Sequence, residues 1–439
     1  MKITVIGSGY VGLVSGICFA KLGHDVICVD KIEGKILQLK NGEIPIFEPG
    51  LKDLLKDVLQ IKKINFTTDL KFGVENSDAI FIAVGTPQSE DGNADLSYVL
   101  EAARQIAIFA NCEKLIVTKS TVPAKTGEKI KKLVKEINPK INFLIASNPE
   151  FLREGSALDD FMNPDRIVIG FDDEKAKKML HEIYQKFPSE KIVETDIITA
   201  ELIKYSSNSF LATKISFINE MADLCEVLGG DIKKLSYAMG LDERIGNKFL
   251  NPGPGFGGSC FPKDILAIIN IAKENNIKLS LIDSVIESNS KRKIKMAKKI
   301  GDVFFGQIKD KKIALLGLAF KANTDDIRYS PAIAIAKELL KGGAKIMAHD
   351  FEAIKNAKEE LKEFADIEFF DDIYSAISGA DLIVVATEWM EYKNLDLNKV
   401  KTLTHCRQIV DLRNVFVCRD VVDAGFDYYY IGGSALRVA

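Results

Sequence analysis

Nine residues, Phe256 to Asp264, read FGGSCFPKD and put a cysteine in a glycine-rich loop. Behind it the run FPKDILAIINIAKENN carries apolar residues at helical spacing, with Pro262 suited to a first helical turn. Cys260 is therefore expected just ahead of a helix N-terminus. Free backbone N–H groups and the helix dipole favour an anion there, so the thiol should ionise more readily than usual. Gly257 and Gly258 would let a ligand or another backbone approach the sulfur. This is the candidate nucleophile. The other cysteines are less suggestive. Cys18 and Cys225 fall in helical patterns, Cys28 and Cys418 in strand-like ones, and Cys112 and Cys406 in ordinary loops.

A second motif says what such a thiolate would meet. Residues 7–12, GSGYVG, stand between the apolar run at 2–7 and the helical stretch VGLVSGICFAKLG, and the next strand, HDVICVD, ends at Asp30. In a βαβ dinucleotide site Gly7 makes the tight turn, Gly9 admits the pyrophosphate and Gly12 lets helix and strand pack; Tyr10 and Val11 lie in the same turn. Asp30 would take the adenosine ribose hydroxyls and repel a 2′-phosphate, which favours NAD over NADP. Lys35, a little over one helical turn beyond, would reach the same ribose. Hydride transfer to NAD makes an aldehyde from an alcohol; a thiolate can trap that aldehyde, and a second oxidation gives a thioester that water hydrolyses.

The elements that must position these groups follow in order. The strand-like runs 78–87, 114–123 and 142–151 end in small, polar or proline residues, so Thr86, Thr121 and Glu150 are expected at the ligand-binding edge of a doubly wound sheet. A long helical stretch, 200–230, stops at a glycine pair and is long enough to be a spine between domains. It carries Lys204 and Asn208 four apart, on one face. A second helical region covers 281–305. From 311 the opening pattern returns: KKIALLGLAFK, AKIMAHD and GADLIVVATEW parallel the first half, but Phe320 and Lys321 stand where the glycine loop continued. That loop would exclude a dinucleotide and suits another phosphate-bearing ligand held by side chains. The expected fold is α/β, with two Rossmann-like doubly wound domains joined by a central helical region: 1–196 for NAD, 197–306 helical and dimerising, and 307–439 for the second nucleotide.

Composition narrows the class. The chain has 439 residues, 47% hydrophobic, with a net charge of −3 and no basic block, so nucleic acid is not an expected partner. No apolar run approaches membrane-spanning length. Seven cysteines without paired spacing, four scattered histidines and no secretory leader suggest reduced thiols, no metal site and a cytoplasmic protein.

These residues, together with GTP (85–87), KSTVP (119–123), NPEFLREG (148–155), RIGNKFLNPGPGFGGSCFPKD (244–264), GLAFKANTDDIR (317–328) and DLRN (411–414), resemble the UDP-glucose/GDP-mannose dehydrogenase family along essentially the whole chain. The resemblance leans to its UDP-glucose group and implies a four-electron oxidation of UDP-glucose to UDP-glucuronate with two NAD. It implies Cys260 as nucleophile, Glu150 as acid/base for thioester hydrolysis, and Lys204 and Asn208 as stabilisers of the developing oxyanions. Asp264 and Thr121 would position or activate water. Asp30, Lys35, Thr86, Thr121, Glu154, Lys263 and Arg328 match NAD-contacting positions. For the sugar nucleotide, the resemblance implies Glu150, Phe151, Leu152, Arg153 and Glu154, the loop Phe249, Leu250, Asn251, Pro252, Gly253 and Gly257, and Lys321 and Arg413. Arg244 matches an arginine that crosses a dimer interface. Two other readings stay open: a two-electron hydroxyacid dehydrogenase, which needs no cysteine, and a nucleotide sensor without turnover.

Overall fold

The computed structural model describes residues 1–89 and 92–438. The chain separates into two compact units, Met1–Ser207 with Leu266–Lys278, and Asn208–Ile265 with Leu279–Ala439.

The first unit is built on eight strands: β1 (Lys2–Ile6), β2 (Asp25–Val29), β3 (Ile64–Thr67), β4 (Ala79–Ile82), β5 (Lys114–Thr118), β6 (Phe143–Ser147), β7 (Ile167–Phe171) and β8 (Ile192–Thr195). Their order is β3-β2-β1-β4-β5-β6-β7-β8, parallel except where β6 meets β7. The inner strands β4, β5 and β6 are buried throughout, as a parallel sheet covered on both faces requires. Alternation divides them between two cores. Phe81 packs with Phe19, Val5 and Val117 on one face, while Ile80 and Ile82 pack with Val99, Ile106 and Ile130 on the other.

The second unit repeats the plan with β9 (Lys312–Leu316), β10 (Lys345–His349), β11 (Ile367–Phe370), β12 (Leu382–Val385), β13 (Gln408–Asp411) and β14 (Asp427–Tyr430), in the order β11-β10-β9-β12-β13-β14 and parallel throughout. The expected second Rossmann-like half is present. The spine is a 32-residue helix, Ile197–Leu228, ending before Gly229 in the left-handed region (φ 75°), the conformation a helix C-terminus needs from glycine. The helix Ser280–Asp302 matches the second helical region. One strand-like assignment is corrected: Cys418 opens a short helix, Cys418–Asp423, in which Val421 is the buried residue.

Candidate active site

The dinucleotide turn has the shape its glycines predict. Gly7 has φ 97°, and a Cβ there would lie 2.8 Å from the Ala83 carbonyl oxygen. A Cβ on Gly12 would fall 1.8 Å from the Gly7 carbonyl oxygen, so only glycine lets the helix Tyr10–Lys21 sit so close to its own loop. Gly9 has nothing within 4 Å of its would-be Cβ, and no side chain caps the helix that starts behind it. Open space at a helix N-terminus is what a pyrophosphate requires. Asp30 accepts from the Ser8 N–H (2.9 Å) and the Ile32 N–H (3.1 Å), and Lys35 Nζ lies 3.1 Å from its Oδ2. Burial works to raise its pKa, but these donors overrule it and hold the carboxyl below its ordinary value. The residues fit an NAD site, with Asp30 ionised toward the ribose. Tyr10 is spent otherwise: its hydroxyl bonds the Glu48 carboxylate and accepts from the Gly155 N–H, tying the helix to the NPEFLREG loop.

At the ends of β4 and β5, Thr86 Oγ1 donates to the Thr121 carbonyl (3.0 Å), so these two residues do come together. Glu150, past the end of β6, faces Lys204 instead, with Lys204 Nζ 3.1 Å from its Oε1 and both side chains buried. The Leu152 N–H donates to Glu150 Oε2 at 2.5 Å. Phe151 lies under the Arg166 guanidinium, 3.5 Å from the ring centre, and Arg153 pairs with Asp160. Sequence reading missed three groups here. Glu48 accepts from the Gly155 and Ala157 N–H groups, 2.7 and 2.8 Å, and Glu201 accepts from the Gly127 N–H at 2.8 Å. The third is Lys119, buried at the end of β5. A lone carboxylate in the apolar IPIFEPGL run was the available signal for Glu48; for the other two, burial was the decisive fact.

In the second unit Cys260 immediately precedes the helix Phe261–Glu274, as its motif predicts. Its carbonyl accepts the Asp264 N–H at 2.9 Å, and Ser259 Oγ lies 3.5 Å from its sulfur. Asp264 is fully buried, bonded by Asn208 Nδ2 (2.6 Å) and Lys263 Nζ (2.7 Å). The glycines ahead of Cys260 serve packing. A Cβ on Gly257 would lie 2.5 Å from the Tyr329 carbonyl oxygen, one on Gly258 2.8 Å from the Phe320 ring, and the Gly258 N–H donates to the Arg328 carbonyl. They admit a neighbouring loop of the chain, one of the two roles expected of them.

The loop 249–257 is pinned from several elements. Phe249 is left-handed at φ 65°. Asn219 accepts from the Gly253 N–H, Arg292 donates to the Gly253 carbonyl, and Asn289 brackets Phe256 by accepting from its N–H and donating to its carbonyl. Arg413 donates to the Ala386 and Phe320 carbonyls, at 3.0 and 2.7 Å, and lies beside Gly253. Lys321 Nζ stands 5.5 Å from the Phe320 ring centre. Arg328 makes a two-pronged pair with Asp326, and the exposed Arg244 pairs with its neighbour Asp242.

Three segments of the chain match models of one family: its NAD binding domain over residues 1–188, its central domain over 198–291 and its UDP binding domain over 314–417. A UDP-glucose 6-dehydrogenase of Rhizobium meliloti is 48% identical over 98% of this chain and 99% of its own, and the TuaD UDP-glucose 6-dehydrogenase of Bacillus subtilis is 46% identical over 99% and 94%. The chain belongs to the UDP-glucose/GDP-mannose dehydrogenase family. Among solved structures, a UDP-glucose dehydrogenase from Pyrobaculum islandicum superposes with a TM-score of 0.89 at 38% identity, covering 94% of each chain. A UDP-D-ManNAc dehydrogenase from Pyrococcus horikoshii gives 0.85 at 28%, covering 98% and 99%.

As a member of this family the chain is an NAD-dependent oxidoreductase, and its second Rossmann-like unit differs from the first where a dinucleotide would bind. Asp350, the counterpart of Asp30, is buried and accepts from the N–H groups of Leu318, Ala319, Glu352 and Ala353 and from the Trp389 indole. Among the described residues no cluster of His, Cys, Asp and Glu would hold a metal ion, and no helix is long and apolar enough to cross a membrane.

Proposed function

We propose that the protein oxidises UDP-glucose to UDP-glucuronate by two successive two-electron steps, with Cys260 carrying the sugar between them. The observation that carries the substrate is the similarity itself. Relatives named for UDP-glucose are 46–48% identical over nearly the whole chain, whereas the solved acetamido-sugar dehydrogenases reach 26–29%. Gly7, Gly9, Val11, Gly12, Asp30 and Lys35 would hold NAD, which would supply the hydride acceptor for each oxidation. Contacts from Thr86, Glu154, Lys263 and Arg328 belong to the same reading.

The Cys260 thiolate adds to the C6 aldehyde carbonyl and forms a thiohemiacetal, whose oxygen takes a hydrogen bond from Lys204 or Asn208. Loss of hydride leaves the thioester. Water adds to its carbonyl, Glu150 takes the water's proton, the C–S bond breaks, and the sulfur leaves as thiolate with the carboxylate as product. Asp264 and Thr121 orient that water. The buried contact between Glu150 and Lys204, 3.1 Å apart, supports this division of labour by placing the two groups side by side. Phe151, Leu152, Arg153, the loop 249–257, Lys321 and Arg413 form the sugar-nucleotide contacts. The division 1–196, 197–306 and 307–439 belongs to the same reading, and the order of the three family segments supports it.

A homodimer belongs to the same proposal. Phe210, Phe217 and Leu224 recur every seventh residue on the spine helix and are 65%, 43% and 50% exposed, an apolar ridge that a second copy would cover, with Arg244 reaching across. We read the protein as cytoplasmic, supported by seven cysteines without paired spacing.

The deciding assay is NADH released per UDP-glucose at limiting sugar. Two are expected; one would reduce the reaction to aldehyde formation. Cys260→Ala should abolish NADH release and keep NAD affinity. For the dimer, Phe217→Glu with Leu224→Glu should give a monomer by sedimentation; an unchanged assembly would reject that ridge.

A further inference from the structure

The described mechanism leaves the buried ammonium of Lys119 unused. Lys119, at the end of β5, is 4% exposed, and its Nζ donates to Asn148 Oδ1 at 2.9 Å. The same oxygen accepts the Tyr184 hydroxyl at 2.5 Å, and Asn148 Nδ2 donates to the Val168 carbonyl at 2.7 Å. Asn148 begins the Asn-Pro-Glu turn that ends in Glu150, and its N–H bonds the Thr118 carbonyl. Lys119 and Glu150 line one cavity, with Phe151, Asp160, Arg166 and Tyr184.

A buried ammonium costs several kcal/mol unless a counter-charge offsets it. The charged and titratable neighbours can be taken element by element. Cys18, on the fingerprint helix, is a neutral thiol that burial pushes up to about 12. Tyr184 is raised by burial and stays a donor. Asp160 is engaged by Arg153, and Arg166 lies on Phe151. Lys204 repels Lys119; Glu150 attracts it.

We propose that Lys119 is a positioning residue for the oxidation: through Asn148 it fixes the turn that carries Glu150. The proposal rests on Glu150 acting as the base in thioester hydrolysis. Removing the Lys119 ammonium should loosen that turn and slow the steps it serves. Burial lowers Lys119 itself to about 8, so in alkali the amine loses its proton and its charge-assisted bond to Asn148 weakens.

The test is the pH profile of kcat for the wild type, Lys119→Gln, Lys119→Arg and Glu150→Gln, with UDP-glucose and NAD. Lys119→Gln should lower kcat about thirtyfold with KM within about threefold. Lys119→Arg should restore kcat to within about threefold of the wild type and, because a guanidinium keeps its proton, lose the wild type's alkaline decline near pH 8. A kcat within about threefold of the wild type in Lys119→Gln overturns the proposal. If that variant does not fold, an unchanged alkaline limb in Lys119→Arg does so. Normal turnover by Glu150→Gln would instead reject the reading of Glu150 and leave Lys119 with nothing to position.

Discussion

The two Rossmann-like halves have the same strand order at their core, 3-2-1-4-5-6, and the same first glycine, Gly7 at φ 97° and Gly317 at φ 99°. They part immediately afterwards. In the first half the helix starts at Tyr10, four residues after β1, and Gly9 leaves the approach open. In the second, Ala319 replaces that glycine, and no helix begins until Pro331. Between them runs the loop that carries Phe320, Lys321 and Arg328. The acidic residue after the second strand changes role with it. Asp30 has two main-chain donors and Lys35, and remains partly exposed; Asp350 is saturated by four main-chain N–H groups and an indole. The difference teaches that sheet topology supplies a crevice and that the saturation of a single carboxylate decides whether a ribose can use it.

Substitutions at the two aspartates should give opposite signatures. Asp350→Ala strands several buried N–H groups and should cost about 3 kcal/mol or more of stability, read by chemical denaturation, with little direct effect on NAD affinity. Asp30→Ala should leave the melting temperature nearly unchanged, weaken NAD binding by about tenfold to a hundredfold, and relax the bias against NADP, read by titration of the free enzyme. Loss of NAD binding in Asp350→Ala with an intact fold would collapse the distinction. Gly9→Ala sharpens it further. The added methyl meets open space, so the fold should be unaffected while NAD affinity falls; an unaltered affinity would place the pyrophosphate elsewhere.

The smallest expected effect is one of pH. Glu201 is buried beside the start of the helix Thr126–Ile137, and burial raises its pKa from 4.5 to about 7. The folded state therefore binds this proton more tightly than the unfolded chain. Glu201 adds stability that is full below about pH 4.5 and is lost as pH rises through about 7. Glu201→Gln, which does not ionise, should match the wild type in acid and exceed it by about 1–3 kcal/mol near pH 8. Equal melting temperatures at both pH values would mean that the carboxylate is fully compensated by its helix.

Much of this was legible in residue order, because the signals are local. GSGYVG followed by HDVICVD specifies a strand, a turn, a helix and an acid within 30 residues, and each step depends on near neighbours. The placement of Cys260 ahead of its helix is equally local, set by glycines and Pro262. Cys418 was misread because it ends the short apolar run Val415–Cys418, and such a run does not distinguish a strand from the lead into a helix. Lys119, Glu48 and Glu201 were missed because their meaning lies in burial and in partners between 29 and 109 residues away.

By itself, then, the sequence determined the two Rossmann-like halves, the NAD fingerprint, the position of Cys260 ahead of its helix and the family, all of which are written in contiguous motifs. Tertiary structure alone decided which carboxylates stay available and which are consumed. It pairs Glu150 with Lys204, closes Asp350 against its own loop and sets Lys119 beneath the Asn-Pro-Glu turn. A charge acquires its chemistry from the donors around it and the water excluded from it, and both are properties of packed neighbours that residue order does not contain.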